Sequence, residues 1–397
     1  MQITVVHPRE LGESELATWR CIQHENPGVA NPFLSPEFTL AVGRLRRQAR
    51  VAVLSDGPKT VGFLPFELSA FGVGMPIAGR INGCQGVVHV PGLEWDAQQL
   101  IHECGMAVWQ FDHLLSEQNA FASYHRRKSP SPIMDLSGGY DAFMTDLLRK
   151  SSTPAAYRPR LSLKELAYKE RRLARDIGDL RFIFDSHDPQ ALRTLISWKT
   201  AHYQRTGATD MFARPWVIGL LEELLETRTE HFTGILSGLY AGDRLLAVQF
   251  GLRCGEVLAG WHLTYNIALP RYSPGLIQIL HLARAAADAG IQQIDMGRGA
   301  AEYKTLFSSQ DPLVAEGQVV TRSRGATLHS VRYASEHWAR RFVREHPPLF
   351  GPVQRARNNV ARIDSTVRRR WQRRMGDGSV PGATSNVAAQ GATRSEV

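Results

Sequence analysis

The sequence predicts a mixed α/β protein whose mostly antiparallel sheets are flanked by helices and arranged in two similar halves. Three observations carry this expectation. Residues 232–265 hold long alternating apolar segments with turn residues only between them, Ala241-Gly242-Asp243 and Cys254-Gly255, which is the pattern of an antiparallel sheet. Residues 258–304 read strand, turn, helix, strand and glycine turn. The hairpin pattern Val51–Leu54 and Val61–Leu64, broken by a glycine turn, is echoed by Leu236–Leu239 and Leu245–Val248, and each hairpin follows helical segments.

In chain order, Met1–Val6 has a short strand pattern with neither the basic head nor the long apolar run of a signal peptide. A helix lies within residues 8–22, with Leu11, Leu16, Trp19 and Ile22 on its apolar side. Asn31–Ser35 is a loop, and Ser35-Pro36 starts a helix: a capping hydroxyl, then proline in the first turn. Residues 50–54 and 60–67 form a hairpin around Asp56-Gly57. The glycine-rich stretch 71–86 packs backbone closely at turns. A helix and a strand follow over 97–111, Met134 belongs to a further strand, and 138–148 is helical.

Residues 151–160, polar and with two prolines, form a linker between a domain over 1–150 and another over 161–335. Ser162-Leu163-Lys164-Glu165 is a capping box. A strand at 180–184 and helices at 188–207 and 216–226 lead into the sheet. The central helix spans about 276–288, its Leu276, Ile279, Leu280 and Ala283 recurring at three and four residues, and Gly290 stops it. Residues 291–296 and 314–320 are strands.

The chain has 397 residues, 43% of them apolar, enough for two domains of ordinary size. Its formal net charge of +9 suits acidic partners without choosing among them. The four scattered cysteines form neither a disulfide framework nor a metal-ligand pattern, so no metal is expected and a reduced cytoplasmic setting is. Residues 336–375 read as a basic helical extension in which Arg355 to Arg374 offer a weak contact for an anionic membrane at the inner face; a solvated basic helix is the plainer reading. Residues 376–397, rich in glycine, serine and alanine, are expected to be disordered.

Several pieces together resemble a known family: Asn31-Pro32-Phe33-Leu34-Ser35-Pro36, Gly62-Phe63-Leu64-Pro65, Lys199 with Tyr203 before Gly207, Tyr272-Ser273-Pro274-Gly275, Asp295-Met296-Gly297-Arg298-Gly299 and Tyr303-Lys304. Over residues 25–325 the chain is similar to the acetyltransferase-fold proteins of cellulose and exopolysaccharide synthesis, within the GNAT superfamily of N-acetyltransferases. The resemblance implies tandem acetyltransferase-like domains, the first non-catalytic. It implies a donor of acetyl-CoA or longer acyl-CoA, whose pantetheine arm lies between two splayed strands, and a small amine or amino-sugar acceptor in surface-polysaccharide metabolism. Arg271 to Gly275 stands in the place of the superfamily's pyrophosphate loop, with one glycine rather than two.

Transfer from a thioester to an amine needs removal of a proton, stabilisation of the carbonyl oxygen and departure of a thiolate. A helix beginning at a Ser-Pro-Gly turn presents free N–H groups to an anion. Arg271, Ser273, Pro274, Gly275 and Leu276 are therefore assigned to the donor's phosphates, with Gly297 and Gly299 as further donor-binding positions. Asp295, Glu302 and His262 are the candidate bases. Tyr303 is assigned to protonate the leaving thiolate, and Lys304 to contact phosphate or a substrate carboxylate. Plainer readings stand beside these: Asp295 as a cap of the glycine turn, His262 as a packed histidine, Lys304 as a surface lysine. The sequence lacks a Gly-x-Ser-x-Gly elbow and a Walker loop. The alternatives are an aminoacyl-tRNA-dependent peptidyl ligase, the one reading that brings in nucleic acid, and a noncatalytic scaffold of polysaccharide assembly.

Overall fold

The computed structural model describes residues 1–152, 162–299 and 301–321. The chain opens with β1 (Gln2–Val6), α1 (Glu13–Glu25) and α2 (Pro36–Leu45). At the start of α2, Ser35 Oγ accepts from Phe38 N at 3.1 Å, and Pro36 sits where a missing N–H costs nothing. The expected hairpin forms from β2 (Ala49–Asp56) and β3 (Lys59–Leu68), turning at Gly57 with φ +56°. The glycine-rich stretch yields only the short β4 (Val73–Pro76), in which a side chain at Gly74 would strike Met106 and Trp109. Then come β5 (Val88–His89), α3 (Ala97–Glu103), β6 (Val108–Leu115), β7 (His125–Pro130), β8 (Ile133–Asp135) and α4 (Gly139–Ser152).

The second half begins with α5 (Leu163–Ile177), whose capping box is complete: Ser162 Oγ accepts from Glu165 N and Glu165 Oε2 accepts from Ser162 N at 2.7 Å. β9 (Leu180–Ile183), α6 (Pro189–Thr206) and α7 (Pro215–Glu226) follow. The long strands β10 (Phe232–Ala241), β11 (Arg244–Cys254) and β12 (Val257–Tyr265) pair antiparallel in sequence. The chain closes with α8 (Pro274–Asp288), β13 (Gln293–Asp295), α9 (Glu302–Phe307) and β14 (Leu313–Val320).

Two sheets result. One runs β1-β2-β3-β4-β6-β14-β7, with β5 on β3; the other runs β9-β10-β11-β12-β13-β8. Both halves repeat one scheme: an antiparallel series, a parallel pair (β4 with β6, β12 with β13), then an antiparallel strand on the far side. That last strand is exchanged. β8 comes from the first half of the chain and completes the second sheet, while β14, from the end, enters the first sheet between β6 and β7. The expected division into 1–150 and 161–335 therefore does not divide the sheets. Nor does it divide the interior, since one apolar cluster runs from Trp19, Phe38 and Phe63 to Leu220, Leu236 and Phe250. A strand as short as β8 carries too little sequence pattern to declare its sheet. The linker beyond Ser152, the basic extension 336–375 with Arg355 to Arg374, and the tail 376–397 lie outside the described residues.

Opposite faces of the second sheet carry different helices. Val248, Phe250 and Leu252 of β11 pack with α6 and α7, whereas Ala247 of β11 and Ile235 and Leu239 of β10 pack with α8. The alternation follows from the two-residue period of a strand. Among the described residues no helix is long and apolar enough to cross a membrane.

Candidate functional site

β12 and β13 pair in parallel over three positions, Val257 with Gln293, Leu258 with Ile294 and Ala259 with Asp295. β13 then ends, and β12 runs on to Tyr265 with no strand on that side among the described residues. A bulge turns β12 away: Phe250 faces His262 and Gly251 faces Gly260, leaving Trp261 as the extra residue. Trp261 is fastened to the first half. Its Nε1 donates to the Ile81 carbonyl at 2.9 Å, and the rings of Phe33 and Phe38 meet it edge-on.

A cavity of about 480 Å³ fills the gap. Trp261, Leu263 and Tyr265 of β12 form one wall, Leu276, Ile279 and Leu282 of α8 another, and Met296, Tyr303 and Lys304 close the end. Gln249 and Lys199 also reach it, and Lys199 and Lys304 are the charged residues in its lining. Gly260 makes room at the vertex, where a Cβ would lie 2.7 Å from Gln249 Nε2.

The start of α8 opens on this cavity through Ser273, Gly275 and Leu276. Ser273 is left-handed (φ +54°), so its side chain does not cap the helix, and its Oγ instead accepts from Lys169 Nζ at 3.1 Å. Gly275 lies against the ring of Tyr265, with a Cβ there 2.9 Å from Tyr265 Cδ1. Pro274 is buried beneath the turn. Arg271 is exposed and lies over the ring of Tyr272, whose hydroxyl donates to Asp176 at 2.9 Å. Arg271 therefore stands beside the helix start rather than in the cavity wall.

Gly297 and Gly299, both at positive φ, shape a turn that faces inward to the protein. Gly297 N donates to Asp295 Oδ1 at 2.7 Å, Gly299 N donates to the Pro130 carbonyl, and Arg298 between them reaches the Asp112 carbonyl and Glu316. With their N–H groups thus engaged and neither residue in the lining, these glycines hold the turn rather than a donor.

Asp295 lies behind the wall. Besides Gly297 N, it accepts from Ser131 Oγ at 3.2 Å and from Asn31 Nδ2 at 3.0 Å. Burial raises its pKa, and these hydrogen bonds oppose the rise. It is the cap of the glycine turn. Lys304 is 8% exposed and donates to the carbonyls of Gly297 (2.7 Å) and Arg298 (2.9 Å). Burial lowers its pKa to about 8, against the pull of Asp295. Burial likewise raises the pKa of Tyr303, keeping its hydroxyl protonated.

His262 is buried, stacks on Trp261 at 4.7 Å, and leaves Nε2 without a hydrogen-bond partner. Burial, with Lys199 nearby, takes its pKa down to about 3, so it is a neutral imidazole and too weak a base for the role expected of it. Glu302 is exposed in the first turn of α9 and lies outside the cavity lining. The structure thus brings together Ser273, Gly275, Leu276, Tyr303 and Lys304, and adds Lys199, Gln249 and Tyr265. Lys199 was visible only as part of a motif. Gln249 gave one sign, a polar residue on the inward register of an otherwise apolar strand.

Residues 162–305 match the family model of the acetyltransferase (GNAT) domain. That span holds every cavity residue named above. FemX has a similar structure, with a TM-score of 0.51 at 9% identity over 80% of this chain and 96% of that one. This is the GNAT acyltransferase fold. Two further structures are similar over 80% of this chain at lower scores. A tandem GNAT protein from the clavulanic acid biosynthesis pathway has a TM-score of 0.43 at 10% identity over 98% of its chain. A C-terminal domain assigned to a lysylphosphatidylglycerol synthetase of Agrobacterium fabrum has 0.47 at 13% identity over 94% of its chain. No curated protein matches this chain in sequence.

Proposed function

We propose that the protein is an N-acyltransferase that moves an acyl group from an acyl-CoA-type thioester to an amine. The observation that carries this reading is the gap between β12 and β13, with the start of α8 at its rim and Tyr303 and Lys304 at its end. A long, amide-bearing thioester arm suits such a gap, because β12 beyond Ala259 offers backbone N–H and C=O groups to pair with the arm. Phosphates at its far end would meet the first turn of α8, where the helix dipole favours negative charge.

The residues then divide the chemistry. Neutral Lys304 keeps its two carbonyl contacts and has a lone pair to take the proton of the attacking amine; a pKa of about 8 suits that task near neutral pH. The amine nitrogen bonds to the thioester carbon, the C–S bond breaks, and Tyr303 gives its proton to the departing sulfur. Asp295 acts at one remove by holding the turn whose carbonyls orient Lys304. The first half of the chain supports the site through Asn31, Ile81 and Phe33 and supplies Met134 to its wall.

The test is to incubate the protein with acetyl-CoA, longer acyl-CoAs and aminoacyl-tRNA, each with a panel of amines, and to look for new amides by mass. New amides from acyl-CoA, lost by about 10²–10⁴-fold in turnover in Tyr303→Phe with donor affinity kept, support the reading. Products from aminoacyl-tRNA alone would replace it with a peptidyl ligase, and no donor binding at all with a scaffold.

A further inference from the structure

The cavity reaches through the sheet. Most of its lining lies on the α8 face, but Lys199 comes from α6, which packs on the opposite face with Leu192 and Leu195. Lys199 and His262 are on this second side, where His262 meets Phe212 at 5.3 Å. If the donor arm occupies the α8 side, the acceptor approaches from the α6 side, and the two meet at the bulge.

Two features of that side call for a ligand. Among the described residues, Lys199 makes no ion pair; the contact found for it is the ring of Tyr203, 5.9 Å away. A half-buried ammonium held in a cavity wall without a carboxylate is costly, and the cavity lining contains no acid to relieve it. Beside it His262, 3% exposed, holds a buried ring nitrogen, Nε2, without a hydrogen-bond partner among the described residues. At the vertex Gln249, 7% exposed, likewise leaves Oε1 without a donor. An anion for Lys199, an N–H donor for Gln249 Oε1 and a polar group for His262 Nε2 can belong to one small molecule.

Resting on the acyl-transfer reading, we propose that the acceptor is an amine that also carries an anionic group, which Lys199 binds while the amine N–H faces the bulge and Gln249 Oε1. Burial lowers the pKa of Lys199, so an arriving anion also relieves an existing cost. A carboxylate and a phosphate share this chemistry.

The experiment compares matched acceptors in the full chain: glycine against glycinamide for a carboxylate, glucosamine 6-phosphate against glucosamine for a phosphate. The ratio of kcat/KM, charged over neutral, should favour the charged member of one pair. In Lys199→Met that ratio should fall by about 10- to 100-fold, the size of a lost charge-assisted hydrogen bond, mainly through KM. Lys199→Arg should recover part of it, and circular dichroism establishes that both variants fold. A ratio near one in the natural protein, or the same ratio in Lys199→Met, overturns the proposal. Calorimetric binding of the same four compounds separates it from the catalytic reading. Lys199-dependent binding of a charged member without acyl transfer keeps the anion site and removes the transferase; absence of such binding removes the anion site.

Discussion

Asn31 Nδ2 donates to Asp295 Oδ2 at 3.0 Å, joining a loop of the first half to the end of β13 in the second. The same carboxylate holds Ser131 Oγ and Gly297 N, so one half-buried group fixes three segments around the wall of the cavity.

Asp295→Asn should therefore act on stability. An amide in place of Oδ2 sets two N–H groups face to face with Asn31, at a cost of about 1–3 kcal/mol. Denaturant unfolding should show that loss, while turnover per folded molecule stays close to that of the natural protein. A drop of about 10²–10⁴-fold at unchanged stability would instead make Asp295 the base.

Lys304 makes a pH prediction of definite sign. Its folded pKa, about 8, lies below the ordinary 10.5. Between those values the unfolded chain holds a proton that the folded chain has released, so stability rises with pH across that window. Lys304→Met should flatten the rise. The check is the unfolding free energy at several pH values from 7.5 to 10.5 for both proteins, and parallel curves would contradict it.

Gly275→Ala places a methyl 2.9 Å from the ring of Tyr265, which is 41% exposed and can swing away. The fold should hold, helped by alanine's helix preference of about 1 kcal/mol. The displaced ring narrows the cavity mouth, so donor affinity should fall about 10-fold, which is about 1.4 kcal/mol. Adding Tyr265→Ala should restore it. An additive double variant would show that the two residues do not share the mouth.

Gly317 sits where β14 shifts register against both neighbours, and a Cβ there would press into the Tyr124 carbonyl. Backbone cannot yield as a side chain can, so Gly317→Ala should cost about 3 kcal/mol. Thermal unfolding measures the loss, and faster labelling of buried Cys104, in the core beneath this sheet, reports where the structure opens.

The hairpins, the capping box at Ser162, the Ser35-Pro36 start and the order β12, α8, β13 were legible because local rules decide them: turn glycines, caps and periods of two and three to four. The structure places Asp295, His262, Glu302, Arg271, Gly297 and Gly299 outside the cavity lining, for reasons that lie outside local sequence. Whether Asp295 faces a cavity or caps a turn depends on Asn31 and Ser131, which folding brings from far along the chain. Lys199 and Gln249 escaped for the same reason, since a helix and a neighbouring strand aim them at one gap only once the bulge at Trp261 has bent β12. The destination of β8 and β14 was illegible because an alternating strand pattern reads alike in either sheet.

The exchange of β8 and β14 also bears on how the protein is made. β7 has β14 as its sheet neighbour, and β6 lacks its second edge until β14 arrives. On the ribosome, at about 5–20 residues per second, the first sheet then waits roughly 10–40 s between the synthesis of β7 and that of β14 with those edges open. The two halves cannot mature one after the other as beads on a string do. The nascent chain closes both sheets in one late event, and throughout the wait its open strand edges are a template for other chains and a natural target for chaperones.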